Sequence, residues 1–129
     1  MVPYERIKAW EKCHELLLGL YQVSKQWPRE ETYGLIAQAR RAAFSAAANI
    51  VEGSAKQGPR EFRRFLDFSL GSLFELSYIF RVVRDLQMTP TEQLNRLESL
   101  RESAGKLTWR RYESIKKKGL LSQTPHRPD

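Results

Sequence analysis

Apolar residues recur along the chain at alternating spacings of three and four, and they do so in four separate segments. This spacing places side chains on one face of an α-helix, whereas a half-buried strand would alternate at every second position. In the first segment the recurring positions are Trp10, Cys13, Leu17, Leu20, Ser24 and Trp27. The pattern predicts helices over residues 5–26, 31–55, 59–86 and 90–118.

Turn and capping residues separate the predicted helices. Pro28 ends the first helix because proline has no amide hydrogen to donate, and Pro59 suits the first turn of the third. Thr89 and Glu92 have the spacing of a capping box at the start of the fourth helix, and Gly119 suits a C-cap at its end. Four long helices joined by short loops predict an all-α, antiparallel up-down-up-down four-helix bundle over residues 1–118, followed by a mobile tail over 119–129.

The second predicted helix is rich in alanine, which lets neighbouring helix backbones approach closely. Its inward line includes Asn49, and we expect this buried amide to fix the register of the helices. Glu52 lies on the flank of that line with Arg41, so we expect it to pair with an arginine rather than to take part in catalysis. We assign structural polar roles to four residues, namely Arg41, Asn49, Glu52 and Glu75.

The second and third predicted helices also carry apolar residues on the face opposite the core. These residues are Phe44 and Val51 in the second helix, and Phe74, Tyr78 and Val82 in the third. Scattered apolar residues are common on protein surfaces, but contiguous exposed apolar surface is typical of an interaction site. Because each of two helices carries such a stripe, we predict that these residues form the interface of a homo-oligomer.

The net charge of +7 and the isoelectric point near 9.8 favour an anionic partner such as RNA or DNA. Two groups of cationic residues carry much of this charge. The first is Lys106, Arg110, Arg111, Lys116, Lys117 and Lys118, and the second, around the loop after the second helix, is Lys56, Arg60, Arg63 and Arg64. Trp109 and Tyr112 lie within the first group, where their rings are suited to stack on bases.

An alternative interpretation of the first group is a solvated helix end whose cations complement the helix dipole. We expect the two groups to lie at opposite ends of an antiparallel bundle, so that one continuous basic surface would require neighbouring subunits or a groove along the side. The sequence has no pattern for reading base edges. Any nucleic acid would therefore be bound through its backbone, with weak sequence preference.

Residues suited to catalysis are few. Glu11 and His14 have the spacing of half a di-iron site, but the other histidine, His126, lies in the predicted tail. Cys13, the one cysteine, lies on the core line, and neither a P-loop nor a serine–histidine–acid set is present. We therefore expect no enzyme activity, no bound metal and no cofactor.

The chain has no apolar run approaching the roughly 20 residues of a membrane-spanning helix. Its N-terminal stretch also lacks the apolar core of a signal peptide. With a single cysteine, no intrachain disulfide can form. We expect a cytoplasmic protein that does not associate with a membrane.

Residues 33–76 carry several motifs at fixed spacings. They are Tyr33-Gly34-Leu35, Gln38, Arg40-Arg41-Ala42, Ser45, Asn49-Ile50, Glu52-Gly53-Ser54, Glu61-Phe62, Arg64-Phe65-Leu66 and Gly71-Ser72-Leu73 with Glu75-Leu76. In these motifs, and over roughly residues 5–86, the chain resembles the bacterial 23S rRNA-intervening-sequence protein family, also called the four helix bundle protein family. Members commonly have a proline before the Asn-Ile pair. Alanines occupy 46–48 here, so we expect a straighter second helix.

The resemblance implies an up-down bundle that assembles into a ring-shaped oligomer, often a pentamer. It also implies a fold similar to that of the accessory protein of diversity-generating retroelements, which binds a reverse transcriptase and nucleic acid. Two functional hypotheses follow from the residues and the resemblance together. The first is a non-enzymatic, basic homo-oligomer that binds RNA or DNA, and the second is a scaffold that docks a partner enzyme and has no nucleic-acid role.

Overall fold

The computed structural model describes residues 2–123, with the side chains of residues 2–119, and this part of the chain contains helices and no strands. The long helices are α1, Lys8–Ser24; α2, Leu35–Ser54; α3, Pro59–Asp85; and α4, Thr91–Gln123. Short 3-10 turns at Pro3–Arg6 and Arg29–Glu31 precede α1 and α2. Helices α1 and α3 each pack against both α2 and α4. The prediction of an all-α four-helix bundle is confirmed.

The inward face of α1 follows the predicted line in part. Cys13, Leu20 and Ser24 are fully buried, but Leu17 is only half-buried and Leu16 occupies the core position instead. Leu16 and Leu17 lie three and four residues after Cys13, so the three-four spacing does not distinguish between them. The helix itself begins at Lys8, later than predicted, because the preceding Ile7 is extended at φ −93° and ψ 113°.

Helix α2 begins at Leu35 rather than near residue 31, because an acidic side chain provides its cap. The Leu35 N–H donates to Oε2 of Glu31 over 3.0 Å. That carboxylate satisfies one of the free amides of the helix start, and it lies where the helix dipole favours negative charge. Gly34 leaves room for it, since a Cβ at residue 34 would lie 2.7 Å from the same oxygen.

The turn between α3 and α4 is a Schellman motif. The Met88 N–H donates to the carbonyl of Val83 over 3.0 Å, and the Gln87 N–H donates to the carbonyl of Arg84 over 3.1 Å. Gln87 adopts a left-handed conformation with φ 53°, a position that glycine usually occupies. The side chain of Met88 is partly buried and packs against the hydrophobic core.

The predicted capping box at the start of α4 is wrong. Oγ1 of Thr89 is buried and has no hydrogen-bond partner within residues 2–123. The first backbone hydrogen bond of the helix runs instead from the Leu94 N–H to the carbonyl of Pro90, over 3.1 Å. The Schellman turn that precedes it brings Thr89 into the protein interior, where its hydroxyl does not reach an amide of the first helical turn.

Helix α4 continues past the predicted end at residue 118 and reaches Gln123. Gly119 is therefore inside the helix and not at its C-cap. The residue is buried, and a Cβ there would lie 3.9 Å from Cγ of Pro59, so the end of α4 packs beside the start of α3. The remainder of the predicted tail, residues 124–129, lies outside the described residues.

Small residues bring α2 and α3 close together. A Cβ at Gly53 would lie 2.8 Å from Cβ of Phe65 and 3.0 Å from Cδ1 of Phe62, which is closer than two carbon atoms can approach. Further along the same seam, Ser69 Oγ donates to the carbonyl of Ala46 over 2.7 Å. The buried alanines of α2 are Ala39, Ala42, Ala43, Ala46 and Ala47.

Cys13 is part of the core and is unsuited to nucleophilic chemistry. Its side chain is fully buried. Burial raises the pKa of the thiol to about 12, and hydrogen bonds with Thr108 and Ser69 lower it by a smaller amount. The thiol therefore remains protonated at neutral pH, whereas a reactive cysteine needs a thiolate.

Replacing Gly53 with Ala is expected to lower the free energy of unfolding by about 1–3 kcal/mol, because the added methyl group forces α2 and α3 apart. Urea denaturation followed by circular dichroism measures the change. Gly105→Ala is the matched control, since a Cβ there meets no atom within 4 Å. It should raise the free energy of unfolding by about 0.5–1 kcal/mol through helix propensity. Stabilisation by both variants would contradict the close contact at Gly53.

Iodoacetamide is expected not to alkylate Cys13 in the folded protein at pH 8, and to alkylate it readily in urea. The folded pKa of about 12 lies above the ordinary thiol pKa of 9.0, so the unfolded thiol ionises first as the pH rises. The thiol's contribution to folding stability is complete below pH 9 and is lost between pH 9 and 12. Mass spectrometry of the alkylated protein measures the reaction, and rapid labelling without urea would contradict the buried position.

Candidate nucleic-acid interface

The up-down order of the helices places the start of α1, the end of α2, the start of α3 and the end of α4 at one end of the bundle, which we call the basic end. The expectation that the two groups of cations lie at opposite ends is therefore wrong. Helix α4 runs antiparallel to α3, so its last turns return to the loop at 55–58 from which α3 starts. The close approach of Gly119 to Pro59 marks this contact.

Side chains from the two groups of cations meet across the α3–α4 seam. The Arg63 guanidinium lies 6.0 Å from the ring centre of Tyr112, and the Arg111 guanidinium lies 5.7 Å from the ring centre of Phe62. A shallow cleft of about 450 Å³ lies between the helices here. Its lining residues are Arg60, Glu61, Arg63, Arg64, Asp67 and Tyr112.

The start of α1 adds two cations that the sequence analysis did not include. Arg6 and Lys8 line a cleft of about 350 Å³ together with Arg110 and Arg111 of α4. Neither residue lies in a run of positive charge, so composition alone does not single them out. The helix order does, because the start of α1 and the end of α4 share the basic end in an up-down bundle.

The cations of the basic end are largely unpaired. Of the ten cations in the two predicted groups, only Arg64 forms an ion pair within residues 2–123, at 3.7 Å from Oε2 of Glu61. Both partners are about half exposed, so the pair contributes little to stability. The exposed members of the two groups are Lys56, Arg60, Arg64, Lys106, Arg110, Arg111, Lys116, Lys117 and Lys118, and Arg63 is half-buried.

The opposite end of the bundle, which we call the far end, has a more even balance of charge. In the α1–α2 connection, Arg29 is followed directly by Glu30 and Glu31, and Lys25 lies four residues before Arg29. Near the α3–α4 turn, Arg81 pairs with Asp85 over 3.1 Å, and Arg101 of α4 pairs with Glu98 over 2.9 Å. The positive charge of the chain is therefore concentrated at the basic end.

Two aromatic residues of α4 accompany the cations. The rings of Trp109 and Tyr112 are stacked, with centres 5.4 Å apart and planes inclined by 12°. Trp109 is nevertheless 52% exposed. An exposed indole beside unpaired cations is a common element of surfaces that bind single-stranded nucleic acid.

The apolar residues predicted to form an oligomer interface are only partly covered by the chain itself. Phe44, Phe74 and Tyr78 are 61%, 74% and 71% exposed, whereas Val51 and Val82 are half-buried. Phe68 of α3, 46% exposed, adds to the aromatic surface of this helix. A large apolar surface of this kind is an expected interaction site.

The predicted structural polar residues lie along the α2–α3 seam, but not all have the predicted partners. Arg41 forms an ion pair with Glu75 across the two helices, and it also donates to Oε1 of Gln38 over 3.0 Å. Asn49 is half-buried rather than buried, and its Nδ2 donates to the carbonyl of Ser45 over 2.8 Å and to Oγ of Ser45 over 3.0 Å. Oγ of Ser45 in turn accepts from Ser72 Oγ over 2.9 Å.

Pairing of Glu52 with an arginine was the wrong expectation. Glu52 is exposed and forms no ion pair within residues 2–123. Arg41 lies three helical turns, or about 16 Å, away along α2. Glu75 of α3 faces Arg41 and forms the ion pair with its guanidinium.

His14 packs in an aromatic cluster near the start of α1. Its ring stacks on Trp10 with centres 4.9 Å apart, and Tyr4 meets the edge of the same indole at 4.8 Å. Among the residues that the structure describes, no group of three or more histidine, cysteine, aspartate and glutamate side chains is placed to hold a metal ion. The half-site spacing of Glu11 and His14 thus has no second half in this part of the chain.

None of the helices between residues 2 and 123 combines the length and the apolar character needed to span a bilayer.

Comparison with known proteins identifies the family. No curated protein matches the chain, but the family model described as 23S rRNA-intervening sequence protein matches residues 5–110. This match covers α1, α2, α3 and most of α4, and it stops before Lys116, Lys117 and Lys118. The chain, folded as four helices, belongs to the 23S rRNA-intervening sequence protein family.

Proposed function

We propose that this protein is a non-enzymatic homo-oligomer that binds the backbone of RNA or DNA through the basic end of the bundle. The observation that carries the proposal is the meeting of unpaired cations from α1, α3 and α4 at that end. Arg60 and Arg63 line one cleft, and Arg110 lines the other with Arg6 and Lys8. Phosphate groups are the ligands that such a surface attracts most strongly in a cell.

Helix dipoles do not account for this arrangement. Cations at the end of α4 are favoured by the negative end of that helix, which explains Lys116, Lys117 and Lys118 without any ligand. Arg60 and Lys8, however, lie in the first turns of α3 and α1, where the dipole disfavours positive charge. Charge placed against the dipole costs stability, so a bound anion provides the better explanation.

The chemistry of the surface favours contacts to the nucleic-acid backbone over base recognition. Lysine and arginine side chains bind phosphates of any sequence, and each contact releases counterions. Among the described residues of the basic end, lysine and arginine far outnumber asparagine and glutamine, the side chains best suited to read adenine edges. We therefore propose weak sequence preference and a strong dependence of affinity on salt.

The homo-oligomer in this proposal is supported by the exposed aromatic residues of α2 and α3. Phe74 and Tyr78 are 74% and 71% exposed, although α3 as a whole has a well-formed core face. A second copy that covers them removes this apolar area from water. We propose a closed ring, with five copies as the family resemblance implies.

A scaffold that docks a partner enzyme is the second candidate. It is favoured by one observation, the apolar cleft of about 610 Å³ between α3 and α4, where Phe74 and Trp109 are both exposed.

We propose no catalytic function in either candidate, because Cys13 is buried and protonated and the ring of His14 is packed against Trp10. We propose that the protein needs no cofactor and acts in the cytoplasm, where RNA is abundant.

Removing one cation from each group, with Arg60→Ala and Arg110→Ala combined, is expected to weaken binding to a generic RNA by about tenfold or more at low salt. The slope of the logarithm of the association constant against the logarithm of salt concentration should become shallower by about 1.5, because two phosphate contacts are lost. Filter binding across a salt series measures both effects.

The matched control for this variant is Lys25→Ala combined with Arg29→Ala, which removes the same charge from the far end. Its affinity and salt slope should stay close to those of the unmodified protein. Equal losses in the two double variants would show that net charge alone governs binding and would contradict a site at the basic end. No binding of the unmodified protein at low salt would contradict the proposed function altogether.

Tyr78→Glu is expected to dissociate the oligomer into 15.1 kDa chains with unchanged helix content, because a buried carboxylate without a partner costs several kcal/mol. Sedimentation velocity measures the mass and circular dichroism the helix content. Tyr33→Glu is the control: Tyr33 is 96% exposed and lies in the connection before α2, away from the proposed interface. An oligomer that persists in Tyr78→Glu would show that the interface lies elsewhere.

A further inference from the structure

The cleft of about 610 Å³ between α3 and α4 is large enough for a nucleobase and mostly apolar. Leu70, Leu73 and Phe74 of α3 line one side, and Trp109 of α4 lines the other. Two glycines keep it open, since a Cβ at Gly71 or at Gly105 would meet no atom within 4 Å. The space therefore comes from missing side chains on both helices, while the helix backbones remain regular.

A row of stacked groups connects this cleft with the basic end. The guanidinium of Arg63 lies over the ring of Tyr112 at 6.0 Å, and Tyr112 stacks on Trp109 with ring centres 5.4 Å apart. Trp109 then lines the cleft while remaining 52% exposed. A flat ring that entered the cleft would extend the row by one member.

Charge around the cleft suits a ligand that is flat and anionic. Lys106 and Arg101 line the cleft with Asp67. Arg101 is paired with Glu98, but Lys106 forms no ion pair within residues 2–123. Lys106 lies one helical turn before Trp109, and Arg110 directly follows it, so cations flank the exposed indole along α4.

From this juxtaposition we propose that the nucleic acid held at the basic end is single-stranded, and that one of its unpaired bases stacks on Trp109 inside the α3–α4 cleft. The inference rests on the proposed function and assigns the form of nucleic acid that the same surface takes. A base in a duplex is stacked between its neighbours, so its face is not accessible to an indole. Only an unpaired base can enter the cleft while its phosphates reach Lys106 and Arg110.

The test compares single-stranded RNA of about 12 nucleotides with a duplex of the same sequence and length, by fluorescence anisotropy at low salt. The unmodified protein should bind the single strand at least about tenfold more tightly. Trp109→Ala should weaken binding of the single strand by about 5- to 100-fold, the range for loss of one aromatic–base stack, and leave duplex binding within about twofold. Trp109→Phe, which keeps a flat ring, should recover most of the affinity.

Filling the cleft provides a second variant that keeps the tryptophan. Gly105→Leu places a side chain in open space within a helix, so the fold should be retained and circular dichroism should confirm it. This variant should weaken single-strand binding as Trp109→Ala does, and Gly105→Ala, which adds only one methyl group to the cleft, should weaken it much less.

The outcomes separate this inference from the proposed function. Equal affinity for the single strand and the duplex, or equal losses on both in Trp109→Ala, overturns the inference and leaves backbone binding at the basic end intact. Dissociation of the oligomer by Trp109→Ala or Gly105→Leu also overturns it, because the cleft would then be filled by a second copy. Absence of binding to either form by the unmodified protein overturns both proposals.

Discussion

Close contact between α2 and α3 determines how the basic end is built. At Gly53 the two helices leave no room for a side chain, so the end of α2 and the start of α3 are held within a few ångströms. The chain must then reverse within the loop at 55–58, and it does so at Gly58, whose φ of 88° and ψ of 151° are accessible essentially to glycine alone. Pro59 is the next residue, and α4 packs beside it at Gly119. Gly53 and Gly58 thus help to bring together cations from separate parts of the chain.

The same end combines features with opposite effects on stability. Cations in the first turns of α1 and α3 repel one another and oppose the helix dipoles. Aromatic rings offset part of this cost, since Phe62, Phe65 and Tyr112 each lie within about 6 Å of a cationic group. One ion pair and several side-chain hydrogen bonds join α2 to α3 along their seam, through Arg41 with Glu75, Ser69 with Ala46, and Ser72 with Ser45. The polar contacts between α2 and α3 and the proposed binding surface therefore lie largely in different parts of the bundle.

Periodicity predicted the four helices and their order, because each buries a regular face against two neighbours. It did not predict details that depend on tertiary contacts. Glycine is common just after a helix ends, so the sequence predicts a C-cap at Gly119, which in the structure lies inside α4 beside Pro59. The Schellman turn has Gln87 at the left-handed position that glycine usually occupies, so the sequence does not indicate this turn. Glu52 does not pair with Arg41, because Glu75, which is remote in sequence, lies closer to that arginine. The placement of the two cation groups at one end follows from the up-down order alone, because the last turns of α4 return to the start of α3.

The concentration of positive charge at one end gives the folded chain a permanent electric dipole moment along the bundle axis. In the electric field of a polyanion, a protein with this dipole moment experiences a torque before the two molecules touch. The torque turns the protein so that the basic end, with the start of α3 and the end of α4, faces the polyanion. Orientation during approach raises the fraction of collisions that succeed, and added electrolyte shortens the distance over which the torque acts. The proposed binding of an anionic polymer therefore depends on orientation during approach as well as on contact energy.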